Sequence, residues 1–298
     1  MKTDLKIKHY CVISLLALLF IIIFTFNHNN GYYSGKSELY PGQNTVLALD
    51  DAHKYVRDNI ADKSYFSVNS RYFVDVKLYD NPEKKGEPLN RVRKLLFGVG
   101  GGATVISNGK GYLITAKHVI NPEGALALME KTKVTLEKKS PGMYVDMTLV
   151  PEYTLTNRDG DTFLASVVAL GDEELGMLRV NKYKNFNAPG VVLSDADSSA
   201  LSDKAVVMIG GPLGVHNAIM DGRIARSEDV KTEEGKFMYV IAPIVPGNSG
   251  GPVITLDDMK LVGVVSQVMV EPGSGTLVSI GLFVPNSVIN KYVKKVVH

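Results

Sequence analysis

Three hydrophobic patterns follow one another along the chain. An uncharged apolar run covers residues 10–26, and residues 47–61 place apolar side chains near helical spacing. From Tyr72 onward apolar and polar positions alternate, and many short β-rich runs follow with turns between them. These runs include GATVIS, GYLITA, KVTLE, LVGVVSQVMV and IGLFVP, and helical spacing returns in SVINKYVKKVV. The pattern predicts a short amphipathic helix, an all-β sandwich or barrel, and a C-terminal helix.

The apolar run of residues 10–26 predicts an uncleaved transmembrane anchor. At ~1.5 Å per residue it spans about 26 Å, slightly less than a hydrocarbon core of ~30 Å. Lys2, Lys6 and Lys8 precede it, and only Lys36 is basic in the twenty residues after it. The N-terminus is therefore expected in the cytoplasm and the rest of the chain outside. A cleaved signal peptide is the alternative, but NHNNGYY after the run offers no small-residue cleavage site.

Composition narrows the classes of function. The 33 basic and 31 acidic residues give a net charge of +2, which supplies no electrostatic case for nucleic acid. The single cysteine, Cys11, lies in the apolar run and allows no intrachain disulfide. Histidine and acidic residues do not show metal-ligand spacing, so we predict no metal and no cofactor. GVGGGATVIS precedes a strand rather than a helix, which argues against nucleotide binding.

The strongest chemical signal is the segment PGNSGGP around Ser249. A serine hydroxyl needs a base to take its proton and main-chain N–H donors for the oxyanion that forms. Glycines beside Ser249 allow the N–H groups of Gly247 and Ser249 to converge, and we count Asn248 with Gly247 among the oxyanion-hole residues. Taken alone, the segment also fits a tight turn between two strands.

A histidine and an acid complete the candidate set. The run GYLITAKHVI places His118 directly after an apolar strand. A lone histidine at such a position is more often structural, but together with Ser249 it is a candidate for the general base. The orienting acid is expected between them at the start of an apolar strand. Asp172, Glu173 and Glu174 precede such a strand, and we expect at least Glu173 to be a solvated turn residue.

Together these segments resemble the HtrA-type branch of the trypsin-like serine proteases. GNSGGP matches the nucleophile signature of that family, and ITAKHVI is similar to its strand-then-histidine motif. VVMIGGPLGVHNAIMDGRIA resembles its Gly-Pro turn and following hairpin, and IGLFVPNSVI its last strand. The resemblance covers residues 90–298 and implies two six-stranded antiparallel β-barrels with a C-terminal helix. It also implies a serine endopeptidase with Ser249 as nucleophile and His118 as base.

The resemblance completes the predicted division of the chain. The parts are a cytoplasmic N-terminus (1–9), an anchor (10–26), a linker with a short helix (27–70) and an extracytoplasmic protease domain (71–298). The chain ends at His298, so the PDZ domain that such proteins often carry is not expected. Polypeptide substrates and the membrane are the predicted partners, and self-association into a homo-oligomer is left open.

The chain differs from the family at the acidic residue that orients the histidine. The family has aspartate in D-x-A-x-L, whereas the matching register here places Glu174 before Leu-Gly-Met-Leu. Glu174 is therefore the predicted orienting acid, and Asp172 is the alternative. A non-catalytic peptide-binding module with a degraded triad is the competing function.

By resemblance, three short segments line the primary specificity pocket. No carboxylate is among them, which argues against a preference for lysine or arginine at P1, the residue before the cleaved bond. We predict small or medium apolar P1 side chains, and β-augmentation of the substrate on the Ser266–Gln267 edge. The assigned residues are Pro243, Ile244, Val265, Ser266 and Gln267, with Phe283 on the third wall.

Overall fold

The computed structural model describes residues 43–80, 86–107, 110–140, 142–182, 186–225, 230–270, 273, 275 and 277–297. The predicted cytoplasmic residues 1–9, the anchor 10–26 and residues 27–42 of the predicted linker lie outside these ranges. None of the helices within the described ranges has the length and apolar character that a membrane span requires.

Six antiparallel strands close the first barrel in the order β1-β2-β3-β6-β5-β4. Successive side chains of a strand point to opposite faces, so each strand sends one row into the barrel. Leu113, Leu155 and Leu178 are completely buried in that interior. The strands are β1 (Tyr65–Tyr79), β2 (Asn90–Val105), β3 (Tyr112–Ala116), β4 (Tyr144–Thr156), β5 (Thr162–Leu170) and β6 (Leu175–Val180).

The second barrel closes in the order β7-β8-β10-β13-β12-β11, because β10 pairs with both β8 and β13. The short strand β9 pairs with β10 outside this circuit. Met208, Val240 and Phe283 are completely buried inside. The strands are β7 (Ala205–Gly210), β8 (Ala218–Ile224), β9 (Val230–Thr232), β10 (Gly235–Ile241), β11 (Pro252–Thr255), β12 (Leu261–Val270) and β13 (Leu277–Pro285). The predicted pair of six-stranded barrels is confirmed.

Four α-helices accompany the barrels in the described ranges. The predicted amphipathic helix and C-terminal helix are both present, the first continued by a π-helical turn at Arg57–Ala61. Two further helices separate β3 from β4. The helices are α1 (Gln43–Val56), α2 (Lys117–Ile120), α3 (Glu123–Lys139) and α4 (Asn286–Val297).

The predicted boundary at residue 71 is wrong. The first strand of the barrel begins at Tyr65, and the segment before it belongs to the core. Val56, Ile60 and Ala61 are buried in the cluster that fills the space between the barrels. Burying an aliphatic side chain of this size contributes about 1.5–3 kcal/mol, so this helix is part of the folded unit and not a linker.

The predicted strand KVTLE is also wrong, because Lys133–Glu137 lie inside helix α3. Ala125 and Met129, four residues apart, are buried on one face of this helix. The helix packs on β4 and β2 through tertiary contacts that outweigh the β preference of valine and threonine.

A shared hydrophobic cluster joins the two barrels. Ile114 and Met177 from the first barrel pack in the same cluster as Val207 and Ile209 from the second. One face of β3 and of β6 is therefore packed towards the second barrel. The candidate catalytic residues lie on the chain segments that begin or end at this junction.

Candidate active site

His118 lies on α2, the single helical turn that follows β3. The next two residues, Val119 and Ile120, are completely buried and hold this turn against the first barrel. The His118 side chain itself is 43% exposed. The strand-then-histidine motif therefore leaves the imidazole open to the cleft while its neighbours fix the backbone.

Glu174 orients the His118 ring. One carboxylate oxygen, Oε1, accepts the backbone N–H of His118 at 2.9 Å and lies 2.5 Å from the ring Nδ1. Burial alone would raise the pKa of Glu174, but the hydrogen bonds and charge of His118 outweigh it and hold this pKa below its ordinary value of 4.5. An ionised carboxylate can only accept, so Nδ1 carries a proton, and in the neutral tautomer of the ring Nε2 is the acceptor that can serve as a base.

Asp172, the alternative acid, does not contact His118. Its side chain is fully exposed, and its carboxylate lies 3.9 Å from the Lys295 ammonium on α4. The structure thus brings Glu174 to the imidazole and leaves Asp172 at the surface.

The expectation that Glu173 is a solvated turn residue is wrong. Its carboxylate accepts the backbone N–H of Lys236, on β10, at 2.9 Å. Glu173 therefore ties the β9–β10 hairpin of the second barrel to the segment that carries Glu174.

The turn that carries Ser249 is anchored on both sides. Gly250 donates its N–H to the Val265 carbonyl of β12 at 2.7 Å, and Gly102 of β2 donates its N–H to the Ser249 carbonyl at 2.8 Å. The Ser249 hydroxyl donates to the Ser266 carbonyl at 3.1 Å. The nucleophile turn is thus held between one strand of each barrel.

Ser249 and the His118 turn meet at Gly101. A Cβ built on Gly101 would lie 2.7 Å from the Ser249 carbonyl oxygen and 2.7 Å from a methyl group of Val119. Within the described ranges no hydrogen bond joins the Ser249 hydroxyl to His118, because the hydroxyl is turned towards Ser266. Catalytic hydrogen bonds are often unformed without substrate, and rotation about the Cα–Cβ bond of Ser249 redirects its hydroxyl.

The oxyanion-hole prediction holds an error at Asn248. Its N–H donates to the Val245 carbonyl at 3.2 Å inside the turn, which removes it as a donor to substrate. In the part of the chain that the structure describes, the N–H groups of Gly247 and Ser249 have no acceptor. Gly247 has φ +102°, which is left-handed backbone that glycine adopts readily. The two N–H groups available to an oxyanion are therefore those of Gly247 and Ser249.

Three of the residues assigned to the primary pocket are buried in the interior of the second barrel. Ile244 is buried, and its terminal methyl group contacts the backbone of Gly281 on β13. Val265 and Phe283 are completely buried in the same interior cluster, while Pro243 is exposed at the rim. The assigned pocket residues that are buried are therefore apolar apart from Ser266.

Two of the predicted pocket residues, Ser266 and Gln267, have polar side chains. The Ser266 hydroxyl is buried and has no hydrogen-bond partner in the described residues. The Gln267 side chain is half-buried, and its amide donates to the Glu234 carboxylate at the tip of the β9–β10 hairpin.

Several residues of the site were not predicted from the sequence. Thr115 donates its hydroxyl to the Gly102 carbonyl at 2.6 Å, and both contact the position that a Cβ of Gly250 would occupy. The signal for this contact is the run of three glycines at 100–102 inside an apolar strand, which indicates close backbone approach. Glu234 carried no signal, because its position depends on how the hairpin folds.

Two six-stranded β-barrels that meet at a histidine–carboxylate pair and a glycine-flanked serine define a protein of the trypsin-like class. Residues 101–264, more than half of the chain, match the trypsin-like peptidase domain family. The chain belongs to this family.

The relatives are HtrA- and DegP-like proteases. The chain is 34% identical over 179 residues to the "Serine protease Do-like HtrA" of Bacillus subtilis, covering 55% of this chain and 33% of that protein. It is 27% identical over 190 residues to the "Probable periplasmic serine endoprotease DegP-like" of Chlamydia pneumoniae, covering 63% of this chain and 32% of that protein. The chain thus spans about a third of the length of these curated relatives.

The fold is shared with a solved structure of the HtrA-type protease AlgW with a tripeptide. The TM-score is 0.54 at 19% sequence identity, over 83% of this chain and 64% of that chain. At this identity the likeness concerns the fold.

Proposed function

We propose that the chain is a serine endopeptidase that hydrolyses peptide bonds through an acyl-enzyme, with Ser249, His118 and Glu174 as its catalytic triad. The observation that carries the proposal is the bond between Glu174 Oε1 and His118 Nδ1. It fixes the tautomer in which Nε2 accepts a proton, and Gly101 separates the turn of the glycine-flanked Ser249 from Val119, the residue after His118. Membership of the trypsin-like peptidase domain family supports this assignment.

The reaction follows from these positions. The Ser249 hydroxyl turns from the Ser266 carbonyl to His118 Nε2, loses its proton to Nε2 and attacks the substrate carbonyl carbon. The oxyanion that forms accepts hydrogen bonds from the backbone N–H groups of Gly247 and Ser249. His118 then gives its proton to the leaving amine, and water activated by the same nitrogen hydrolyses the acyl-enzyme. Glu174 stabilises the imidazolium during both steps.

The pocket above Ile244 selects the P1 side chain. Apart from the Ser266 hydroxyl, the buried side chains assigned to this pocket are apolar, and the buried Ile244 would limit its depth. We therefore propose cleavage after small or medium apolar residues such as alanine and valine. The edge of β12 beyond Ser266, to which the described residues supply no strand, would hold the substrate backbone in extended form.

We further propose that the protease domain acts outside the cytoplasm, held to the membrane by residues 10–26. The apolar run and the lysines before it support this orientation. Extracytoplasmic proteins that are unfolded or need processing are then the substrates. Carbonate extraction of membranes tests the anchor, since an anchored chain stays in the pellet and a cleaved one is released.

A peptide-binding module without catalysis is the second candidate. The hydrogen bond from the Ser249 hydroxyl to Ser266 favours it, because a serine kept in this position would not react. In that case the same groove would bind peptides and release them intact.

Hydrolysis of an unfolded protein separates the two functions. The full chain should cleave reduced, denatured casein after small apolar residues, as read by mass spectrometry of the products, and Ser249→Ala should not. Binding of casein peptides without cleavage by the unsubstituted chain would support the second function instead.

A further inference from the structure

One edge of β12 is open beside the nucleophile. β11 pairs with β12 up to Val264, and the Ser249 turn then covers the carbonyls of Val265 and Ser266. Beyond Ser266 the described residues supply no strand to this edge, whereas the other edge of β12 continues to pair with β13. A peptide seated at Ser249 can therefore extend along β12 as an added strand.

Along this edge, the two faces of β12 carry different kinds of side chain. The Gln267 carbonyl lies 3.1 Å from the Cβ position of Gly281, so Gln267 turns its backbone towards β13, and Ser266 and Val268 turn theirs towards the open edge. The Val268 side chain packs on the same interior cluster as Ile244. The Gln267 side chain reaches instead to the hairpin tip.

Substrate side chains alternate between these faces in the same way. A P1 side chain above Ile244 lies on the Val268 face, and P3 follows it there. The side chains at P2 and P4, two positions that share the other face, lie on the side of Gln267. Groups near Gln267 are therefore placed to read P2 or P4.

The hairpin that carries Glu234 is held against the site. Glu173 accepts the N–H of Lys236 at 2.9 Å, and Glu173 is next to Glu174 in sequence. The Glu234 N–H donates to the Thr232 hydroxyl at 3.1 Å, which closes the turn. The position of Glu234 is thus fixed by the segments that build the triad and the substrate edge.

The turn at the tip of this hairpin carries carboxylates. Among the described residues, the side chain that donates to the Glu234 carboxylate is the amide of Gln267, which is neutral and adds no positive charge. Glu233 adds a second carboxyl group to the tip. Lys231 and Lys236 lie opposite each other in the hairpin register and moderate this charge.

We infer that Glu234, held by Gln267, forms an acidic subsite that favours lysine or arginine at P2 or P4 of the substrate. This inference rests on the proposed endopeptidase function. It assigns the enzyme a two-part preference, for a small apolar residue in the primary pocket and a basic residue one or three positions upstream.

Peptide anilides with valine at P1 test the subsite. Lysine, glutamine or glutamate is placed at P4 in one series and at P2 in another, with alanine elsewhere. An exposed ion pair is worth about 0.2–1 kcal/mol, so lysine should raise kcat/KM over glutamine by up to about fivefold in one series, and less at high salt. Glu234→Gln should bring this ratio close to one, and Glu234→Lys should bring it below one.

Glu233→Gln is the matched control, since it removes a neighbouring charge that Gln267 does not hold, and the lysine preference should persist. The inference is overturned if the unsubstituted protein shows no lysine preference in either series, or if Glu234→Gln keeps it.

Binding separates this inference from the proposed function. Fluorescein-labelled lysine and glutamine peptides are titrated into the Ser249→Ala protein, and polarisation gives the two Kd values. Tighter binding of the lysine peptide without any cleavage by the unsubstituted chain supports the subsite and contradicts the endopeptidase. Cleavage with equal Kd values and equal rates contradicts the subsite alone.

Discussion

The backbone N–H of Gly102 donates to the carbonyl oxygen of Ser249 at 2.8 Å, which joins the first barrel to the nucleophile turn of the second. The preceding residue, Gly101, separates that same carbonyl from the side chain of Val119. The positions of the candidate nucleophile and base therefore depend on a contact that leaves no room for a side chain.

Gly101→Ala should disturb this contact. The added Cβ would lie 2.7 Å from both Ser249 O and a Val119 methyl group, closer than real Cβ contacts, so the backbone must shift. We expect a loss of about 1–3 kcal/mol in the free energy of unfolding in urea, and a slower reaction of Ser249. Gly100→Ala is the control, because its Cβ would meet nothing within 4 Å. Equal behaviour of the two variants would contradict the close contact.

Glu174→Gln should change both catalysis and the pH dependence of stability. Loss of the charge beside His118 is expected to lower kcat by about 10²–10⁴-fold, as for removal of an orienting acid in such triads. Glu174→Asp keeps the charge and should retain more activity than Glu174→Gln.

The stability effect has a defined direction. The folded-state pKa of Glu174 is lowered, so its contribution is fully present above the unfolded pKa and is lost as pH falls through the folded value. The difference in unfolding free energy between the unsubstituted chain and Glu174→Gln should thus be constant near neutral pH and shrink below about pH 4.5. A difference that does not change with pH would mean that His118 does not stabilise the ionised form of Glu174 in the folded protein.

Ile244→Ala should deepen the primary pocket. Ile244 is buried against Gly281, and its removal opens space for a larger P1 side chain. The ratio of kcat/KM for phenylalanine over valine at P1 should rise by about tenfold or more, since pocket-filling methylenes are worth about 1–3 kcal/mol. Ile241→Ala, at an exposed isoleucine on β10, should leave the ratio unchanged. An unchanged ratio in Ile244→Ala would place the P1 pocket elsewhere.

Asn217 holds the loop that contacts the Gly247 turn. Its side chain donates to the Ala61 carbonyl at 2.9 Å, and Gly211 of the same loop donates its N–H to the Gly247 carbonyl at 3.2 Å. Asn217 also has φ +56°, which costs most side chains free energy. Asn217→Ala should lose about 1–3 kcal/mol of stability and lower kcat, as measured by urea unfolding and anilide hydrolysis.

Asn217→Gly separates the two contributions to this loss. It removes the hydrogen bond but accepts the positive φ, so it should be less destabilising than Asn217→Ala. If alanine is tolerated as well as glycine, the loop does not depend on this residue.

The sequence predicted the barrels and the Glu174–His118 contact because both rest on local signals. Period-two runs define strands, and Glu174 occupies the start of an apolar strand. The sequence was less informative at the Ser249 turn, since only the folded turn shows that the Asn248 N–H donates to the Val245 carbonyl.

The error at α3 has a different cause. Val134 and threonines predict a strand by propensity, but Thr132 and Thr135 donate their hydroxyls to the carbonyls of Leu128 and Lys131, one helical turn earlier. The packing of the helix face on β4 decides the outcome, and no local pattern reports it. The contacts of Glu173 and Glu234 were not predicted for the same reason, because they join segments that are far apart in sequence.

The central claim, that Ser249 is a nucleophile activated by His118, is tested most directly with a fluorophosphonate probe. Intact-mass and peptide spectra of the labelled full chain locate the adduct, and His118→Ala serves as the partner variant. We predict one adduct on Ser249 of the folded protein, and a rate of labelling at least about a hundredfold lower in His118→Ala. A folded protein that gains no adduct on Ser249, or labels equally fast without His118, would contradict the account.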